Sequence, residues 1–70
     1  MRKVIIDDFK DSRTIHACYM GNSKELVYGQ WYNIRFMEKR KRVSIPLCDN
    51  PDLGKSNSGM EFSMGKFYIK

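Results

Sequence analysis

Seventy residues make one small domain, spanning 1–70, whose core covers only a modest share of its surface. A hydrophobic share of 41%, with four Tyr, four Phe and one Trp, supports a folded core rather than a disordered chain, and no run of about 18 apolar residues is present to cross a membrane. Thirteen basic residues against eight acidic ones leave a charge of +5, a field that attracts nucleic acid or an acidic protein surface.

The first ten residues, MRKVIIDDFK, carry too short an apolar run for a signal peptide and meet acidic residues at once, so a cytoplasmic location is the default expectation. Cys18 and Cys48 are too few to staple a secreted miniprotein, and both are read as reduced and at least partly buried. With a single histidine they make a poor metal set.

In chain order, Val4, Ile5 and Ile6 are β-branched and favour a strand, read as a short edge strand or an arm laid across one end of a barrel. KDSR at 10–13 reads as a turn. Thr14 to Met20 is the next strand, with Ile15, Ala17 and Tyr19 on one face and His16, Cys18 and Met20 on the other; both faces are partly apolar, and the pattern leaves the inward one open. Gly21 and Asn22 mark a turn, followed by an irregular loop whose Leu26 tucks into the core.

The strongest signal is the stretch Gly29 to Leu47. Tyr32, Ile34 and Phe36 alternate with Asn33 and Arg35, and Val43, Ile45 and Leu47 alternate with Ser44 and Pro46, the period of two of half-buried strands. MEKRKR between them predicts a hairpin connection. Trp31, Asn33, Arg35 and Ser44 then share the face opposite the apolar set. Pro46 cannot donate to a ladder and predicts an edge, a bulge or a bend. The polar loop at 49–59 contains several turn signals and is expected to be the most mobile part. Met60, Phe62 and Met64, then Phe67 and Ile69, fit either two strands joined at Gly65 or one long bent strand.

Five or six short strands must bury their apolar faces, and a strongly bent antiparallel sheet closed on itself does so while removing edges. The expected fold is therefore all-β, a small SH3-like barrel of five to six strands, ahead of an OB-type barrel and an open meander. The run CYMGNSKELVYGQWYNIRF, followed by VSIPL and SGMEFSMGKFYI, resembles the small SH3-like barrel proteins encoded by bacteriophages, with matching positions at Tyr19, Gly21, Leu26, Gly29, Tyr32 and Ile34. The resemblance implies the barrel, a viral origin and hence a host-cytoplasmic setting. It implies no activity, and the acidic loop and aromatic pair with which signalling SH3 domains grip proline-rich peptides are not evident.

Lys39, Arg40, Lys41 and Arg42 at a hairpin tip offer charge to phosphates, and Arg35 and Trp31 on the adjoining face add the basic-aromatic interleaving of single-stranded nucleic-acid binders. The same run equally suits a protein-binding surface or a solvated turn that discourages edge pairing. Trp31 is either an interface anchor or the lid on one end of the barrel. Tyr68, flanked by Lys66 and Lys70, extends the basic-aromatic face only if the last strand lies beside the hairpin.

Catalytic and metal readings are poor. His16 and Cys18 share a strand face about 6–7 Å apart, too far for direct activation. Asp7, Asp8 and Asp11 lack an EF-hand loop, Asp49 and Asp52 offer two carboxylates only, and the GKS at 54–56 lacks both the upstream Gly and a following helix. The expectation is a non-enzymatic binding protein without cofactor or membrane partner. Its leading role is docking on a host or viral protein through Trp31, Arg35, Lys39, Arg40, Lys41, Arg42, Lys66 and Tyr68. A nucleic-acid-binding module is the alternative, and homo-oligomerisation through an exposed strand is a further expectation for so small a core.

Overall fold

A computed structural model describes residues 1–51 and 60–70. Among these residues, six strands form one antiparallel sheet: β1 (Arg2–Lys3), β2 (Thr14–Tyr19), β3 (Trp31–Met37), β4 (Arg42–Ser44), β5 (Glu61–Phe62) and β6 (Phe67–Ile69), in the order β1-β6-β2-β3-β4-β5. The predicted hairpin is β3 and β4, with Phe36 opposite Val43 and Arg35 opposite Ser44. The longest ladder joins β2 to β3, pairing Ile15 with Ile34 and Ala17 with Tyr32. That register settles the face left open by the sequence: Ala17 and Tyr19 join Tyr32, Ile34, Val43, Phe62 and Phe67 in the core. Ile34, Val43, Ile45 and Phe67 are fully buried, each stabilising the fold by about 1.5–3 kcal/mol relative to exposure.

Among the described residues, the sheet does not close into a barrel. Its order ends on β1 and β5, which pair with β6 and β4 respectively and not with each other. Each is two residues long, and a pair of two-residue strands offers too few ladder bonds to hold a seam shut. The SH3-like barrel, and with it the kinship implied by the resemblance, is therefore corrected to an open six-stranded sheet. Its inner face is covered instead by other segments: Val4 and Phe9 near the N-terminus and Leu26 from the loop after β2 are buried in the core, with Met60 and Met64 packed against it.

Three further expectations change locally. Val4 to Ile6 is not a strand. The chain leaves β1 after Lys3 and turns into a 3-10 helix over Ile6–Phe9, with Ile5 and Ile6 exposed. The cause is Asp8, whose carboxylate accepts the Ile5 backbone N–H at 2.8 Å and a paired contact from the Arg2 guanidinium at 2.6 and 3.0 Å. Leu47 is not in a strand either: β4 stops at Ser44, and Pro46 leads into a 3-10 turn over Leu47–Asp49. The C-terminal segment is two strands, separated by a 3-10 turn over Met64–Lys66 that contains Gly65. Most of the 49–59 loop, including Asp52 and the GKS at 54–56, lies outside the described residues.

Where β4 gives out, a side chain takes over its pairing. Continuing the register past Arg35 and Ser44 would set Asn33 opposite Pro46, which has no N–H to give. Asn50 fills the place. Its Oδ1 accepts the Asn33 backbone N–H at 2.8 Å, and its Nδ2 donates to the backbone carbonyls of Asn33 and Pro46, both at 2.8 Å. Asn50 is buried, and these bonds satisfy both ends of its amide.

Hydrogen bonding from Arg2 is the main cause that holds the Asp8 carboxyl below the ordinary carboxylate range; burial opposes it, and the Ile5 N–H adds a smaller push downward. A lowered folded-state pKa adds stability above the unfolded value, near 4, and that increment disappears as pH falls through the folded value. Urea denaturation of the native chain and of Asp8→Asn should show a stability gap that is constant above about pH 5 and shrinks steadily below about pH 4. A gap unchanged down to about pH 2 would contradict the role given to this carboxylate.

Candidate interaction surface

Successive side chains of a strand point to opposite faces, so the register that buries Tyr32 and Ile34 turns Trp31, Asn33 and Arg35 outward. Across the sheet, Cys18 lies opposite both Trp31 and Tyr68, giving a row Tyr68–Cys18–Trp31 over β6, β2 and β3. The two aromatic residues are half-buried and Cys18 between them is buried to 3%. A small apolar side chain between two large ones is thus sealed on the outer face.

The next row, His16 opposite Asn33, is polar and hydrogen-bonded. His16 stacks on Trp31 with ring centroids 5.4 Å apart and planes 18° from parallel. Its Nδ1 lies 3.0 Å from Asn33 Oδ1. The Asn33 amide is oriented by its Nδ2, which donates to the Asp49 carbonyl at 2.7 Å. An amide oxygen only accepts, so His16 carries its proton on Nδ1 when neutral. Asp49 also accepts from Arg35 at 3.1 Å. Val27, Gln30 and Pro51 join His16, Trp31 and Asn33 around a cleft of about 400 Å³. Val27 in its lining is 63% exposed, and the next residue in the chain, Tyr28, is 68% exposed.

The eight residues singled out from the sequence do not form one patch. Trp31, Arg35 and Tyr68 share the outer face, with Lys66 exposed just before β6. The basic turn lies at the other end of β3, about 20 Å from Trp31. The last strand sits beside β2 rather than beside the hairpin, so Tyr68 reaches Trp31 across Cys18 and does not adjoin the basic run. Within that run, Arg40 pairs with Glu61 at 2.9 Å and Arg42 approaches the same carboxylate at 3.9 Å. Lys41 adopts a positive φ of 55° and sets its ammonium 6.0 Å from the centre of the Phe36 ring. Lys39 is exposed. Exposed pairs such as these contribute little stability, and the Glu61 carboxylate, shared by Arg40 and Arg42, offsets one of the run's four positive charges.

The sequence reading missed His16 as the stacking partner of Trp31, the exposed Val27 and Tyr28, and Asn50. The alternation put Trp31 opposite the apolar set but left the inward face of β2, and so the side taken by His16, open; only the register shows that the two meet. Cys48 is exposed, not partly buried, and neither cysteine is in a disulfide. Among the described residues no group of three or more His, Cys, Asp or Glu is placed to hold a metal ion, and no helix is long and apolar enough to cross a membrane.

No family model, curated protein or solved structure matches the chain. With the barrel replaced by an open sheet, a phage origin has no support and is not carried forward.

The row Tyr68–Cys18–Trp31 predicts the order of thiol labelling. In the native protein, Cys48 should react with a small alkylating reagent at a free-thiol rate while Cys18 is protected by at least about a hundredfold. Trp31→Ala should raise the Cys18 rate with Cys48 unaffected, as read by peptide mass spectrometry. Equal rates at the two thiols in the native chain would show that the aromatic cover is absent.

Proposed function

We propose that this chain is a non-enzymatic binding protein that docks on a larger protein through the outer face of its sheet. The observation that carries the reading is the exposed Val27 in the cleft beside the Trp31–His16 stack, with the exposed Tyr28 next to it in sequence, set on a network in which His16, Asp49 and Asn50 are each bonded to Asn33. Aromatic side chains held rigid before binding lose little conformational freedom on contact and act as anchors. A polar rim around them, here Gln30 and the Arg35–Asp49 pair, suits a protein interface.

Nucleic-acid binding is the second reading. In its favour are the charge of +5 and the exposed turn bearing Lys39 to Arg42. It is the weaker of the two because Arg35, Arg40 and Arg42 already face carboxylates and one face of Trp31 is stacked on His16. Both conditions work against a strand that needs open charge and an open ring.

Affinity capture from nuclease-treated lysate, followed by purified binding assays, separates the readings. Docking predicts a retained protein whose binding survives about 0.5 M salt and weakens at least about tenfold in Trp31→Ala and in Tyr28→Ala, with folding checked by circular dichroism. Recovery of nucleic acid alone, with affinity falling steeply as salt rises and the slope flattened by neutralising Lys39 to Arg42, would overturn it in favour of the second reading.

A further inference from the structure

A second concavity lies away from the Trp31 cleft, at the hairpin end of the core. It measures about 630 Å³ and runs between the 3-10 helix over Ile6–Phe9 and the end of β3. Its apolar lining comes from Ile6, Phe36 and Met37, and Lys10, Arg13 and Lys39 stand around it. Arg35 and Arg40 also border it while pairing outward with Asp49 and Glu61, and Asp7 and Glu38 are its carboxylates. With Arg35 and Arg40 paired to carboxylates outside the groove, Lys10, Arg13 and Lys39 face Asp7 and Glu38 and keep the lining positive by one charge.

The groove exists because the sheet is open. Phe36 points to the inner face at the end of its row, beside the fully buried Val43, and among the described residues no strand crosses to cover it. Phe9 stacks on it at 5.2 Å and closes the core on that side, which leaves the outer part of the apolar surface uncovered: Ile6 is 49% exposed.

We propose that this groove binds an acidic peptide segment carrying apolar side chains. An apolar group would lie on Ile6, Phe36 and Met37, and flanking carboxylates would meet Lys10 and Arg13 on one side and Lys39 on the other. The ring geometry favours peptide over single-stranded nucleic acid. Phe36 is stacked on Phe9 and approached by the Lys41 ammonium at 6.0 Å, so this pair offers no open ring face for a base. A volume of this size suits one or two apolar side chains with their backbone. The groove shares Arg35 with the outer face, but the contacts proposed for it use other residues, and it stands or falls independently of that face.

Amide-resolved NMR titration of the full chain tests this with three probes: a capped peptide of two leucines flanked on each side by two aspartates, the same peptide with asparagine for aspartate, and an oligothymidylate. The acidic peptide should shift the amides of Lys10, Arg13, Phe36 and Lys39. The asparagine peptide should bind at least about tenfold more weakly, and so should the acidic peptide to the Lys10→Glu, Lys39→Glu double variant, whose exposed sites leave folding intact. Trp31→Ala should change nothing. The proposal fails if the acidic peptide gives no groove shifts up to about 1 mM, if the asparagine peptide binds equally well, if Trp31→Ala rather than charge reversal abolishes binding, or if the oligothymidylate binds the groove in preference to the peptide.

Discussion

One side-chain amide sets up the outer face of this protein. β3 needs a hydrogen-bonding neighbour along its whole length, and Pro46 removes that neighbour at the level of Asn33. Asn50 replaces it, bonding the Asn33 N–H and C=O and the Pro46 carbonyl at 2.8 Å each. Because Asn50 is thereby fixed, the preceding Asp49 is fixed too, with its carbonyl on the Asn33 side chain and its carboxylate on Arg35. Asn33 in turn holds His16, and His16 lies against Trp31. The chain of contacts from a proline-terminated strand to a positioned indole is continuous.

The openness of the sheet has two consequences. It leaves two edges, both short and both charged: β1 presents Arg2 and Lys3, and β5 presents Glu61 next to Arg40 and Arg42. Short, charged edges discourage pairing between copies. It also obliges loops to cover the core, so Phe9 and Leu26 act where a barrel would have used its own far wall. At the hairpin end that cover is incomplete, and an apolar, cation-rimmed groove results.

Much of this was legible in the chain. The alternation over Tyr32, Ile34 and Phe36 was clear because only one face of β3 packs on the core. The inward face of β2 was not, since Cys18 is buried on the opposite side by its aromatic neighbours Tyr68 and Trp31, and two apolar faces give no period to read. β-branched Val4 to Ile6 suggested a strand, but a carboxylate three residues past Ile5 captures its N–H and forms a turn instead. Closure into a barrel was inferred from the need to bury apolar faces, a need that loops meet equally well. The charge of the basic turn was visible and its pairing was not: Glu61, which faces Arg40 and Arg42, lies far along the sequence from them, as Asp49 does from its partner Arg35 on the outer face. Asn50 looked like an ordinary turn residue before Pro51, because its role depends on the β3–β4 register.

The most direct measurement is hydrogen exchange at the Asn33 backbone amide. If the Asn50 side chain completes the ladder, this amide exchanges as slowly as those of Ile34 and Ala17 in the native chain, and Asn50→Ala accelerates it selectively while lowering stability by about 1–3 kcal/mol. An Asn33 amide that exchanges at the rate of an exposed loop, indifferent to the residue at position 50, would contradict the arrangement on which the Trp31 face is built.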